Sequence, residues 1–320
     1  MDIYWVDVEG GAATLIVTPA GETVLIDTGN PGIRDPDRIT RVITRVAKLR
    51  QVDHLIITHY HGDHYGGAAD LAKMLPIKTV YDNGIFEDMP EAPPEKSYFE
   101  FKAEQRIVIH PGDQVPLRQT TATGAVSFEL KCLGTRKKFP TVADDVPPNT
   151  EACASHRPKD RDGSDNANSV VMLLRFGPFD FFDAGDLTWN QEHRLFCPKN
   201  PAGIVDVYQV THHGLDSSNN PLVLASLQPT VAVMNNGVTK GCLPEVFATL
   251  KSTPSLKAIY QVHKNLRPDG SVNNAPDEYI ANHQEQCQGN WIKLSVDPTG
   301  LAYRIEIPSH GHRREFRTKP

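Results

Sequence analysis

The 320-residue sequence has no run approaching the roughly 18 apolar residues that a membrane-crossing helix needs. No membrane role is therefore expected. There is no excess of basic residues: 33 Lys and Arg stand against 39 Asp and Glu, a formal charge of −6. That disfavours a globally basic nucleic-acid binder, and no long basic groove is legible, so a polymeric nucleic-acid partner is allowed but not favoured. The only dense basic run, His310 to Lys319, reads as a solvated tail. Cysteine is sparse, with five in all and no CxxC, which excludes a disulfide-built scaffold. The count is odd, so at least one thiol is unpaired within a monomer. The others fit either reduced thiols or one or two disulfides of an exported protein. No leader is legible, because Ile3-Tyr4-Trp5-Val6 already reads as a strand. That fits a cytoplasmic chain or one whose leader was removed. With 39% hydrophobic and 22% charged residues, the remaining composition is that of an ordinary globular protein.

Apolar periodicity alternates between strands and helices along the whole chain. Asp2–Val8, Ala13–Val17 and Glu22–Asp27 read as a β-meander punctuated by Gly10-Gly11 and Pro19-Ala20-Gly21. Ile39, Val42, Ile43, Val46 and Leu49 share one face of a helix whose start is signalled by Asp35-Pro36. A buried strand, His54–Thr58, follows, then a short helix over Ala68–Met74 and a strand over Thr79–Tyr81. Residues 85–104 read as a peripheral helix or lid, and 134–167 as a long loop of the kind that borders functional sites. Ser169–Phe176 and Phe179–Phe182 read as a hairpin. Strands at Val205–Val210, Thr230–Met234 and Ala258–Val262 alternate with helices at Trp189–Phe196, Pro221–Leu227 and Glu245–Leu250. A hairpin of Trp291–Val296 and Leu301–Ile307 ends the pattern. Two such halves predict an α/β (α+β) fold with two sheets packed face to face and helices outside, in one domain over 1–320.

Polar residues collect where strands end. Thr58-His59-Tyr60-His61-Gly62-Asp63-His64 follows the buried Leu55–Ile57 and sets three imidazoles and a carboxylate within six residues. Thirteen histidines spread over the chain would not place three here by chance. Imidazole and carboxylate are ligands for zinc and its first-row neighbours. His59 and His61, as alternate residues, can point the same way, and Gly62 lets the chain turn so that Asp63 and His64 face a second ion. Four residues rarely complete two positions, so other strand ends must contribute. Asp183-Ala184-Gly185-Asp186 follows Phe179–Phe182, and an acidic residue there could bridge two cations. Thr211-His212-His213-Gly214 follows Val205–Val210. Asp27, after Val24–Ile26, is expected to orient a ligand rather than to be one. His263, ending Ala258–Val262, is a further strand-end candidate.

HxHxDH at 59–64, with Asp27 upstream and Asp186 and His212-His213-Gly214 downstream, resembles the metallo-β-lactamase-fold superfamily. The resemblance runs over roughly residues 1–265 and implies a four-layer αββα sandwich of two mixed β-sheets flanked by helices, with a metal site, usually dinuclear zinc, at one edge. Val6-Asp7-Val8-Glu9-Gly10-Gly11-Ala12-Ala13-Thr14-Leu15, Asn168-Ser169 and the doubled histidine are most similar to the hydrolase domain of the competence DNA-uptake channel protein. By this likeness His59 and His61 would hold a first ion, Asp63 and His64 a second, and Asp186 would bridge them. His213 would be a ligand and His212 would serve the chemistry, with Asp63 doubling as a proton acceptor. Many members place a histidine ligand where Asn168 stands. Either His212 or His213 fills that place, or the first ion binds loosely. Two Zn2+ ions are expected, with Mn2+ or Fe2+ as alternatives. The implied activity is a hydrolase using a metal-bound hydroxide on a small-molecule ester, phosphoester or phosphodiester first; the alternatives are a lactone, thioester or β-lactam hydrolase, or a metal-binding scaffold without turnover. Oligomeric state is left open.

Overall fold

A computed structural model of the chain describes residues 1–120 and 126–319. Two mixed sheets dominate it. The first has nine strands, ordered from edge to edge His312–Arg317, Ala302–Ile307, Ile292–Val296, Asp2–Trp5, Thr14–Val17, Thr23–Ile26, Val52–Ile56, Ile77–Asp82 and Ala103–Val108. It is antiparallel as far as Thr23–Ile26 and parallel from there on. The second has seven, ordered Ile280–Asn282, Ala258–His263, Val231–Met234, Val207–Gln209, Phe179–Asp183, Val171–Phe176 and Phe128–Gly134. Its first five strands are parallel and its last two antiparallel.

Period-two alternation divides each strand between two apolar layers. Ile16, Ile26 and Ile56 of the first sheet meet Phe181, Val207, Val233 and Tyr260 of the second in the central core. Their neighbours Leu15, Leu25 and Leu55 turn outward to Ile39, Ile43 and Leu71 of the helices on that face. Phe182, Tyr208 and Ala232 do the same on the other face, against Leu195, Phe196, Leu222 and Leu250. The result is helix, sheet, sheet, helix, the four-layer sandwich expected. Trp5 crosses between the sheets, its ring edge-on to Phe181 at 5.8 Å and its indole N–H donating to Gln209 Oε1 at 2.8 Å.

Several local expectations need correction. The first helix starts earlier, at Arg34, and its regular part ends at Arg41, followed by a wider turn over Val42–Val46. Asp35 lies inside its first turn, where its Oδ2 accepts from the Asn30 backbone N–H. The basic tail is an edge strand, His312–Arg317, held because Phe316 stacks on Tyr303 at 5.2 Å. The long loop contains a short helix, Thr150–Ala154, and a 3-10 turn, Asp165–Asn168. A Cys153–Cys197 disulfide ties that helix to the end of Trp189–Phe196. Cys132, Cys242 and Cys287 are free. Among the described residues no helix is long and apolar enough to cross a membrane.

Candidate metal centre

The parallel strands of both sheets deliver their C-terminal ends to one edge of the sandwich. The loops leaving Thr23–Ile26, Val52–Ile56, Phe179–Asp183 and Val207–Gln209 interlock there by backbone bonds. Asp27 N–H donates to Ile56 O at 2.8 Å, Thr28 N–H to His64 O at 2.7 Å, and His212 N–H to Gly185 O at 3.0 Å. Gly185 has φ +53, and a Cβ on it would meet the Thr58 side chain at 2.8 Å, so only glycine lets the Asp186 loop close on the histidine loop. Asp27, His212 and His213 are non-glycine residues with φ of 61, 54 and 55. Such backbone costs energy and concentrates at functional sites.

The left-handed pair changes the expectation for the two histidines. Neighbours on a strand would point to opposite sides, but these lie beyond the strand, in a turn that brings both Nε2 atoms to 3.4 Å from Asp186 Oδ2. His213 Nε2 also lies 3.3 Å from Asp63 Oδ2 and 3.2 Å from His64 Nε2. His64 Nε2 is 3.4 Å from Asp63 Oδ2 and 3.2 Å from Asp186 Oδ2. These four atoms enclose a cage. Donors about 2.0–2.1 Å from a tetrahedral zinc ion stand about 3.3–3.4 Å apart, and the five cage edges just given run from 3.2 to 3.4 Å. His64, His213, Asp63 and Asp186 therefore fit such an ion.

The surrounding groups orient those donors. His64 Nδ1 lies 2.7 Å from Asp27 Oδ2 and His213 Nδ1 3.2 Å from the Asn235 carbonyl. With Nδ1–H donated outward, each Nε2 lone pair faces the cage. Asp27 also accepts from Thr58 Oγ1 at 2.7 Å and from Thr58 N–H at 2.8 Å, which fixes the start of the histidine loop. Thr58 Oγ1 in turn lies 3.1 Å from His59 Nδ1, leaving His59 Nε2 free.

Electrostatics point the same way. Burial disfavours charge on His64, but Asp186, Asp63 and Asp27 outweigh it and hold the imidazole well above its ordinary pKa. Burial likewise opposes ionisation of Asp186, yet His64, His212 and His213 keep its carboxyl well below the usual range. Asp63 is lowered too, against burial, chiefly by His64 and His213. Lys240 Nζ also bonds Asp63 Oδ2. Paired carboxylates in a buried pocket call for positive charge, from protons or from metal.

His59, His61 and His212 stand beside the cage. His59 Nε2 lies 3.9 Å from Asp186 Oδ2, and burial and then His64 push its pKa well below the ordinary value. His61 packs edge-on to His59 at 4.7 Å, and its Nε2 meets Glu91 Oε1 at 3.1 Å. Burial lowers His212 to about 4, so it is neutral at pH 7. Its Nδ1 lies 3.0 Å from Ser217 Oγ and 3.1 Å from Ser218 Oγ.

Two expected residues lie elsewhere. Asn168 is buried but donates its amide to Asp165 Oδ1 at 2.9 Å, because the 3-10 turn points it back along its own segment. His263 is outside the centre: its ring nitrogens meet the Lys264 and Gln284 carbonyls at 2.8 and 3.0 Å, near Asp7 and Cys287. Cys242, whose thiol meets the Asn273 carbonyl at 2.7 Å, is also no part of the cage. The sequence reading missed Asn166, Glu91 and Lys240. Nothing in their local pattern marks them, since each reaches the centre from a loop whose path only the fold defines.

A metal-binding αββα sandwich with donors at strand ends is thus the class defined by fold and site. The model of the Metallo-beta-lactamase superfamily matches residues 6–136, which include the whole histidine loop. Similar curated proteins include a lactamase-like protein of Pestalotiopsis microspora, 32% identical over 105 residues, 32% of each chain. A UPF0173 metal-dependent hydrolase of Cupriavidus metallidurans is 36% identical over 22% of each chain. An atrochrysone carboxyl ACP thioesterase of Cryptosporiopsis sp. is 39% identical over 25% of this chain and 23% of its own. The matches thus span about a third or less of these relatives. Among solved structures, the metallo-beta-lactamase fold protein YhfI of Bacillus subtilis aligns over 82% of this chain and 96% of its own, at 11% identity and a TM-score of 0.47.

Proposed function

We propose that the chain is a metal-dependent hydrolase whose substrate is a small-molecule ester. The observation that carries this reading is the four-donor cage, with two carboxylates and two outward-tethered imidazoles at tetrahedral spacing. Divalent ions bound there, zinc first, supply Lewis acidity and a water acidic enough to attack at neutral pH. The protein's own part is to hold and orient. Asp27 and the Asn235 carbonyl fix the tautomers of His64 and His213. His212 is neutral, and with Asn166 Nδ2 donating to its Nε2, its proton sits on Nδ1 beside Ser217 and Ser218. That Nε2 lone pair is placed to take up a proton and to return it to the leaving group. Lys240, beside Asp63, adds a positive charge at the mouth.

A phosphoester or phosphodiester is the first substrate class, supported by the opening Val6–Leu15 and the doubled histidine. An acyl ester or thioester is the second, supported by the printed name of the thioesterase relative. A panel of bis-p-nitrophenyl phosphate, an acyl thioester, a lactone and nitrocefin, with zinc or manganese, separates them. Turnover on the first and little on the rest is expected. Stoichiometric metal with no turnover on the whole panel would replace the enzyme by a metal-binding scaffold.

A further inference from the structure

Beside the cage, His59 and His61 have no third histidine, and two oxygen-bearing side chains, Asn166 and Glu91, reach this edge of the centre. Asn166 is 6% exposed. Its Oδ1 is buried with no hydrogen-bond partner among the described residues, as is His59 Nε2. At the other end of the same carboxamide, Asn166 Nδ2 lies 3.4 Å from His212 Nε2, itself 3.4 Å from Asp186 Oδ2. A carboxamide oxygen and an imidazole nitrogen are thus both left buried and unbonded, which is unfavourable unless a ligand meets them. A shared cation would relieve both. Glu91 Oε1 reaches to 3.1 Å from His61 Nε2, a spacing that two donors to one ion would have. The same Oε1 accepts from Asp165 N–H at 3.2 Å, so the segment bearing Glu91 is fastened to the turn bearing Asn166.

We infer that the His59/His61 position is completed by the Asn166 carboxamide oxygen and the Glu91 carboxylate, and that it is a looser, harder-ion position than the cage. Two imidazoles with carboxylate and carbonyl oxygens suit manganese or ferrous iron more than an all-nitrogen set does. The looser 3.9 Å spacing of His59 Nε2 and Asp186 Oδ2, against 3.2–3.4 Å in the cage, agrees with a larger ion. The inference rests on the metal-dependent reading above and assigns unlike ions to its two positions.

The test titrates full-length protein, stripped of metal, with zinc and with manganese. Competition with a chelating dye gives affinities, and manganese paramagnetic resonance reports occupancy independently of activity. Wild type should take one zinc tightly and a second ion at least tenfold more weakly. Asn166→Ala and Glu91→Ala should each weaken only the second ion, by tenfold or more. Asn166→His, a gain-of-ligand variant, should tighten the second zinc at least tenfold and reduce the ability of manganese to displace it. Two equal zinc affinities in wild type, or unchanged second-ion binding in all three variants, would overturn the inference and leave the hydrolase reading standing. Wild type taking up no ion at either position would overturn both.

Discussion

Replacing Asp186 by alanine removes the carboxylate oxygen that the four buried imidazoles of the centre approach. Asp186 Oδ2 lies 3.9 Å from His59 Nε2, 3.2 Å from His64 Nε2, and 3.4 Å from both His212 and His213 Nε2. On the proposed reading it would be one of four cage donors and would lie between the two ion positions. If a four-ligand zinc site is worth about 10–16 kcal/mol, one donor carries roughly 2.5–4 kcal/mol, or about 10²–10³-fold in Kd. Asp186 is also the chief group raising the His64 pKa, so the variant should hold its His64 proton less firmly. The assay is zinc affinity by dye competition for wild type, Asp186→Ala and Asp186→Asn, with circular dichroism to confirm folding. Activity on the best substrate should fall at least 10²-fold, about 2.7 kcal/mol of barrier. A folded Asp186→Ala protein with zinc Kd within tenfold of wild type, or with more than a tenth of its rate, would refute the assignment.

Asp27→Ala should keep all four cage donors but free the His64 ring, weakening zinc by about 10–100-fold, as measured by the same competition; an unchanged affinity would mean that the 2.7 Å contact does not orient the ligand. Because His64 is held well above its ordinary pKa, the metal-free protein keeps its proton at pH 7 and zinc must displace it. Zinc affinity should therefore rise with pH through neutrality, and calorimetry in buffers of different ionisation enthalpy should count about one released proton; a count of zero would contradict this. His213→Ala should lose zinc and activity together, whereas His212→Ala should keep cage zinc and lower kcat by roughly 10²–10⁴-fold; identical behaviour of the two would refute the division of labour. Removing the Cys153–Cys197 link opens a 44-residue loop, so Cys153→Ser should cost about 4 kcal/mol by the chain-entropy relation, read from denaturant midpoints.

The layered fold was legible because period-two patterns such as Leu15-Ile16 and Phe181-Phe182 divide one strand between two apolar layers. Where a strand carries few apolar residues the reading ran short. His312–Arg317 looks like a charged tail because only Phe316 is buried in it, and its role depends on Tyr303 of the neighbouring strand. The histidine loop was legible because its donors are adjacent in sequence. The 3-10 turn was not: Asn166 and Asn168 are equally plausible in sequence, and only the turn decides that Asn166 faces His212 while Asn168 faces Asp165. For His263, ending a strand was a poor guide. Its strand lies three places from Phe179–Asp183 in the sheet, and its ring is taken up by carbonyls of other loops.

The central claim is that His64, His213, Asp63 and Asp186 form a tetrahedral zinc cage. A crystal structure of zinc-loaded protein, with anomalous data at the zinc edge, tests it most directly. The account predicts a strong peak within about 2.0–2.2 Å of His64 Nε2, His213 Nε2 and one oxygen each of Asp63 and Asp186. Zinc bound elsewhere, with these four side chains still paired to one another, would contradict it.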